Sequence, residues 1–428
     1  MRKLLILADD LSGAADCANA FTSSGLNAVV TLKDLDQDFP GEVLSIDCDT
    51  RHLAPDEAAT RITRIMQSPL ICHSDRLIFK KVDSTLRGNL GSELRAVLDQ
   101  RRATSSHRIV AVLAPAFPAA GRTTVDGYQL LHGVRLDETE IWLHNGLSGA
   151  AHLPAMLQQA GLSISQLSLG RVRAELASLR SSMLRLAEQT DVIICDAETD
   201  DDLSAIAHAS LALGHETIWA GSAGLAYQFA RVADLPPASH PIEQPEYPSG
   251  SILFVVGSAS SLSHQQARML ETTASVKTIH VLPGVLLEGP SRPAWNLVSN
   301  QIHASLKSGK DTLVLLDSNE QVDIQDRRRL TEAVGLMLAP YAMLVGGLVA
   351  TGGETARAVL DSWGAASLFM LGELEHGLPF SFARIGDRPL PLLTKAGAFG
   401  NQETLVSCWR FFTSLLREQD YPTVRKLL

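Results

Sequence analysis

The sequence predicts an α/β fold in two domains, each with a mainly parallel sheet flanked by helices. Three observations predict it. Short apolar runs alternate with helix-compatible stretches from end to end, the pattern of strand–helix–strand units. Several runs, such as Leu4-Leu5-Ile6-Leu7 and Val192-Ile193-Ile194, are apolar at every position rather than every second one, which marks strands covered on both faces. The chain of 428 residues is longer than one hydrophobic core ordinarily serves.

In the first half, strands are expected at 4–8, 28–32, 43–46, 77–79, 109–113, 192–195 and 217–220, with helical patterns such as 55–66, 91–100 and 172–188 between them. Residues 235–250 then carry five prolines. Proline fixes φ and lacks an N–H, so this stretch reads as a stiff extended linker. A strand pattern resumes at Ile252. The domains are therefore expected at 1–234 and 251–428, with the active site in the cleft between them. In the second half, strands are expected at 252–256, 278–282, 312–316, 343–345, 368–371 and 390–393. A final helix at 404–418 carries Leu405, Cys408, Phe411, Phe412, Leu415 and Leu416 at helical spacing, a stripe expected to face the core.

A net charge of −10 argues against a general nucleic-acid binder, which would be basic. Five scattered cysteines (Cys17, Cys48, Cys72, Cys195, Cys408) without a C-x-x-C pair offer neither a disulfide framework nor a zinc site. The apolar run that opens the chain is too short for a signal peptide, and no stretch approaches the roughly 20 apolar residues of a membrane span. A cytoplasmic protein without membrane partners is expected.

Residues 79–89 read Phe-Lys-Lys-Val-Asp-Ser-Thr-Leu-Arg-Gly-Asn, an apolar run that opens abruptly into charge. Unpaired buried charge is costly, so such a strand end suits a small anionic ligand at the carboxyl edge of a sheet. A solvated loop is the ordinary reading of any one of these cations and the less favoured reading of so many at one strand end. Together with Leu7-Ala8-Asp9-Asp10-Leu11-Ser12-Gly13-Ala14 and Thr351-Gly352-Gly353-Glu354-Thr355, this segment resembles the four-carbon acid sugar kinases, which phosphorylate tetronate-type sugar acids with ATP. The likeness spans nearly the whole chain, with the motifs in the family's order. It implies ATP and Mg2+ as cofactors and a small sugar acid as substrate, and leaves a homodimer open. The Lys80–Asn89 wording looks closer to the threonate/erythronate branch than to the 3-oxo-tetronate branch, so D-threonate phosphorylated at its 4-hydroxyl is the first expectation.

The resemblance carries substrate contacts onto Asp9, Arg51 and the run Lys81, Val82, Asp83, Ser84. Asp9 and Asp10 end the first strand ahead of a helix whose N-cap is expected at Ser12. A helix start favours one acid; the other is left for substrate hydroxyls. Arg51 has the planar fork that matches a carboxylate and is the candidate for the acid group. Lys81 suits the carboxylate or the transferring phosphoryl group, and Asp83 is the candidate to orient or deprotonate the attacking hydroxyl. Arg122 and Thr123 follow another strand and either border the pocket or make a turn.

The second domain has no Walker loop: Ser308-Gly309-Lys310 is followed by Asp311 and lacks the earlier glycine. Instead Gly352 and Gly353 precede a helix, where close backbone approach and free N–H groups suit phosphate, although a tight turn reads the same way. Gly257-Ser258-Ala259-Ser260 and Lys395-Ala396-Gly397-Ala398-Phe399-Gly400 supply two more small-residue strand ends. The resemblance places nucleotide contacts at Ser258, at Gly352, Gly353, Glu354 and Thr355, and at the loop from Gly397 to Gly400. The segment 372–377 could form another wall, with His376 expected to be structural. No metal ligand is assigned.

Two rivals compete. Asp47-Cys48-Asp49 after an apolar run mimics the nucleophile motif of haloacid-dehalogenase phosphatases, but Arg51 stands where that motif wants Thr or Val. A non-catalytic sugar-acid sensor would need the first domain's pocket without a nucleotide domain.

Overall fold

Runs that are apolar at every position become parallel strands because helices cover both of their faces. The computed structural model describes residues 3–33, 41–72, 75–144, 146–236, 242–257, 260–317, 326–397 and 399–418. The chain divides into two units, Met1–Pro241 and Ile242–Leu428. The division falls inside the proline-rich stretch, whose residues 237–241 lie outside the described ones; 242–250 form no helix or strand.

The strands of the first unit are β1 (Leu4–Ala8), β2 (Ala28–Thr31), β3 (Val43–Asp47), β4 (Leu77–Lys81), β5 (Ala111–Ala114), β6 (Arg122–Val125), β7 (Tyr128–Leu131), β8 (Val134–Arg135), β9 (Ile164–Leu167), β10 (Val192–Cys195) and β11 (Ile218–Gly221). Its main sheet runs β2-β3-β1-β4-β11-β5-β10-β9 with parallel pairings. Leu5, Leu7 and Ile78 pack with Ile62 and Leu94 of the helices Pro55–Met66 and Leu90–Thr104. On the other face Phe79, Trp219 and Phe21 gather around Phe229. From β1 the chain goes out to β2 and β3 on one side and returns to β4 on the other. Connections that leave in opposite directions open a crevice at the carboxyl ends of β1 and β4, where such sheets bind ligands.

The alternating segments are where sequence and structure part. Residues 118–127, expected either to border the pocket or to make a turn, contribute strand: β6, β7 and β8 form a separate antiparallel sheet. Its turns, Asp126-Gly127 and His132-Gly133, have positive φ at both residues, the twist that suits two-residue hairpins. The edge strand β9 is the other addition, and the expected helix at 172–188 is interrupted, with Leu169–Val172 and Leu176–Ala187 as separate pieces.

The second unit has β12 (Ser251–Val256), β13 (Val276–Val281), β14 (Asp311–Leu316), β15 (Val345–Thr351), β16 (Ser367–Glu373), β17 (Pro379–Ile385) and β18 (Arg388–Lys395). The order is β13-β14-β12-β15-β18-β17-β16, parallel through β18 and antiparallel beyond it. Residues 343–345 were expected as a strand; a 3-10 turn occupies Ala339–Leu344 and β15 starts one residue later. Gly346 and Gly347 sit inside β15 because a Cβ at Gly346 would stand 2.7 Å from the Gly250 carbonyl, and one at Gly347 2.9 Å from the Phe412 ring. The helix Thr404–Thr413 buries Leu405, Cys408, Phe411 and Phe412, with Phe411 edge-on to Phe380 at 4.9 Å.

Candidate active site

Asp9 and Asp10 leave β1 at the crevice. Asp10 has extended backbone, φ −145°, and its Oδ1 accepts from the Gly13 amide at 2.8 Å. Asp10 rather than Ser12 is therefore the N-cap of the helix Leu11–Thr22. The cap must be non-helical, and Ser12 already lies within the helix.

Arg51 joins the two aspartates. Its Nε and Nη2 donate to Asp9 at 2.7 and 3.0 Å and its Nη1 donates to Asp10 at 2.5 Å. The backbone brings it there: the amides of Thr50 and Arg51 both donate to the Asp9 carbonyl, and Asn89 Nδ2 donates to the carbonyls of Thr50 and Leu53. Gly88, at φ +83°, passes so close that a Cβ would stand 2.9 Å from Asp9 Oδ2. The fork expected to receive a substrate carboxylate thus already grips Asp9, and it orients both aspartates. Burial opposes the Arg51 charge, but Asp10, Asp9 and Asp83 together raise its pKa well above the ordinary value. For Asp9, burial works upward, and the Arg51 charge and hydrogen bonds prevail to hold it low.

Strand alternation sends Lys80 and Lys81 to opposite faces of β4. Lys80 is buried, paired with Glu93 at 2.8 Å, and donates to the carbonyls of Leu7 and Lys81. It ties the ends of β1 and β4 to the helix Leu90–Thr104. Lys81 donates to the Val82 carbonyl at 3.0 Å and lies where a Cβ at Gly13 would be 3.1 Å from its Nζ. Its ammonium therefore stands beside the first turn of the helix Leu11–Thr22. Val82 contributes main chain: its side chain is buried and its amide donates to the Gly221 carbonyl.

Asp83 is clasped by Arg87, whose Nε and Nη2 reach Oδ2 at 2.7 Å and Oδ1 at 3.1 Å; Thr85 Oγ1 at 2.5 Å and the Arg87 amide at 3.2 Å also donate to Oδ2. Burial pushes its pKa up, but Arg87 and Arg51 outweigh this and hold the carboxyl well below the usual range. A carboxylate so stabilised orients a hydroxyl better than it removes a proton. Ser84 is held through its carbonyl by Gln129 Nε2 at 2.9 Å, so the small sheet braces this loop. Arg122 on β6 is buried and close enough to Asp83 to feel its charge. Residues 122–129 therefore border the site and also form a hairpin. Asp196, after β10, pins that hairpin by accepting from the amides of Asp126 and Gly127; no motif pointed to it. Asp47 and Asp49 make a turn, the Asp49 amide donating to Asp47 Oδ1 at 3.0 Å.

In the second unit the carboxyl ends of β12, β15 and β18 lie side by side, with Val256 opposite Thr351 and Thr351 opposite Lys395. Gly352 turns the chain at φ +92° into the helix Gly353–Ser362. A Cβ at Gly257 would collide with Thr355 Oγ1, so these two segments touch. Glu354 is exposed on the first turn. The loop beyond β18 is bound by side chains: Ser263 Oγ donates to the Gly397 carbonyl at 2.8 Å, and Gln266 Nε2 to those of Phe399 and Asn401. Gly400, at φ +83°, presses on Thr404. The wall at 372–377 meets this loop, since a Cβ at Gly377 would stand 2.6 Å from the Phe399 ring. His376 faces Glu373 at 3.7 Å. Ser258 lies outside the described residues.

One unit thus presents a charged crevice at the ends of β1 and β4, and the other a glycine-lined edge at the ends of β12, β15 and β18. Residues 4–229 match the sugar-binding N-terminal domain and residues 253–405 the nucleotide-binding C-terminal domain of known family models. The D-threonate kinase of Cupriavidus necator is 38% identical over 96% of this chain and 98% of that protein. The 3-oxo-tetronate kinase of Burkholderia multivorans is 27% identical over 97% and 96%. A solved Salmonella typhimurium structure, described as a putative tRNA synthase, covers 96% of this chain and 99% of its own with a TM-score of 0.79 at 21% identity, a likeness of fold alone. The chain belongs to the four-carbon acid sugar kinase family.

Proposed function

We propose that this chain transfers the γ-phosphoryl group of ATP to the 4-hydroxyl of a four-carbon sugar acid, D-threonate first. The observation that carries the substrate is the 38% identity to a D-threonate kinase along nearly both full lengths, against 27% for a 3-oxo-tetronate kinase. D-Erythronate and 3-oxo-tetronate are the alternatives within the same chemistry. The geometry supports an acid with several hydroxyls. Asp9, Asp10 and Asp83 are met by Arg51, Arg87, Lys81 and Arg122, one positive charge in excess, which suits one substrate carboxylate. Lys81, beside a helix N-terminus, is the preferred contact for that carboxylate; Asp9 and Asp83 accept from the hydroxyls.

Phosphoryl transfer through a loose transition state depends mainly on positioning and charge stabilisation, so an orienting Asp83 is sufficient. The amides of the Gly352–Thr355 turn are the proposed donors to ATP phosphates. Among the described residues no group of three His, Cys, Asp or Glu side chains could hold a metal ion. Magnesium fits as a companion of the nucleotide, since it binds largely through phosphate oxygens and water. No helix of the described residues is long and apolar enough to cross a membrane. We place this chemistry in the cytoplasm, where ATP is supplied.

The test is a substrate panel of D-threonate, D-erythronate and 3-oxo-tetronate with ATP and magnesium, scored by ADP formed and by kcat/KM. D-Threonate should lead. A higher efficiency on the 3-oxo acid would overturn the branch, orthophosphate release from a phosphosugar would favour a phosphatase, and binding without turnover a sensor.

A further inference from the structure

Lys395 ends β18 and is 1% exposed. Its ammonium donates to the carbonyls of Ala396, Gly397 and Phe399 at 3.0, 3.2 and 3.0 Å. Its own carbonyl accepts from the Gly352 amide at 2.8 Å. One residue therefore holds both loops that line this sheet edge, by its side chain on one and its main chain on the other. Across a trans peptide, the C=O and the next N–H point in opposite directions. With the carbonyls of Ala396 and Phe399 turned in to the ammonium, the amides of Gly397 and Gly400 turn out.

The ammonium's hydrogen bonds among the described residues go to carbonyls and not to a carboxylate. Burial lowers its pKa to about 8. The helix Ser261–Thr273 faces the loop with neutral Ser263 and Gln266. From the helix Thr404–Thr413 comes the Cys408 thiol, pushed up by burial and therefore uncharged. Glu375 is bonded to Thr404 Oγ1 at 3.0 Å and acts on Cys408, and Glu354 is exposed.

We infer that Lys395 is a positioning residue for the nucleotide: it turns the Gly397 and Gly400 amides toward the phosphates, and its charge beneath them couples polyphosphate binding to its own protonation. This rests on the nucleotide-binding reading of the second unit. A bound polyphosphate stabilises the ammonium, so the complex releases that proton at higher pH than the free protein does. Binding then takes up protons above about pH 8, and affinity falls as pH rises through that value.

The experiment is calorimetry with adenylyl imidodiphosphate and magnesium at pH 7 and pH 8.5, each in two buffers of different ionisation enthalpy, on the whole protein and on Lys395→Met. The wild type should take up a substantial fraction of a proton at pH 8.5 and little at pH 7. Lys395→Met should lose that uptake and bind the analogue at least about tenfold more weakly, with KM for the sugar acid unchanged. Binding by the wild type without uptake at pH 8.5 would overturn the inference whether or not the variant folds, as would a folded variant that keeps the uptake. No analogue binding by the wild type would overturn the nucleotide reading itself, and this inference with it.

Discussion

In the first unit charge meets charge. Asp9 and Asp10 share Arg51, Asp83 has Arg87, and Glu93 has Lys80. In the second unit the equivalent edge is main chain and glycine, with one buried cation resting on carbonyls. On the proposed reading, the difference follows from the ligands. A small acid with hydroxyls at fixed directions needs side chains that are held still, and oppositely charged partners hold one another. A polyphosphate needs many donors in a small space, which peptide amides supply if the chain can come close. Removing a side chain should therefore hurt the first region most, and adding one the second.

Arg51→Ala should have the largest effect. It leaves Asp9 and Asp10 without their cation, and breaking a buried pair on one side costs roughly 3–5 kcal/mol. Efficiency on the sugar acid should drop by about a hundredfold or more, the melting temperature should fall, and calorimetric ATP affinity should hold. Equal losses toward both ligands would break the division of labour between the units.

Gly353→Val is the converse: an added side chain at the start of the helix Gly353–Ser362 should crowd the path to its amides. ATP affinity should fall about tenfold or more, with sugar-acid affinity intact. Unchanged ATP affinity would remove this turn from the site.

Asp83→Asn separates orientation from base catalysis and should be the mildest. An orienting residue should cost only several-fold in kcat, whereas loss of a general base would cost about a hundredfold or more. The same substitution tests the acid limb of stability. The folded-state pKa values of Asp9 and Asp83 are depressed, so their stabilisation is present above the unfolded value of about 3.9 and lost as pH falls through the folded values. Asp83→Asn should flatten the fall in melting temperature below about pH 4. An unaltered acid profile would mean that Asp83 is not held as a paired carboxylate.

The parallel strands were legible where burial on both faces writes Leu5, Ile6, Val192 and Ile193 in unbroken runs, whereas the buried antiparallel β17, with Pro379, Ser381 and Arg384 among its residues, was not expected. The edge strand β9 and the hairpins β6–β8 were not, because a half-covered strand mixes polar with apolar residues and looks like a loop. At the site, the density of charge in residues 79–89 was legible, but its pairing was not. Arg51 and Asp9 lie 42 positions apart, and spacing says nothing about which carboxylate receives a fork. The same limit hid Lys395: it closes an apolar run as Lys80 and Lys81 do, and that shared placement was the available signal.

The Lys80–Glu93 pair closes the backbone between them into a ring that contains Asp83, Ser84 and Arg87. A free loop of this length loses conformational entropy when it settles around a ligand. Here both ends are fixed in a buried contact, so if this loop receives the sugar acid as proposed, that entropy is lost when the protein folds rather than when the ligand arrives. Binding then has little ordering to do, and more of the interaction energy remains for contacts that strengthen only as the phosphoryl group moves across.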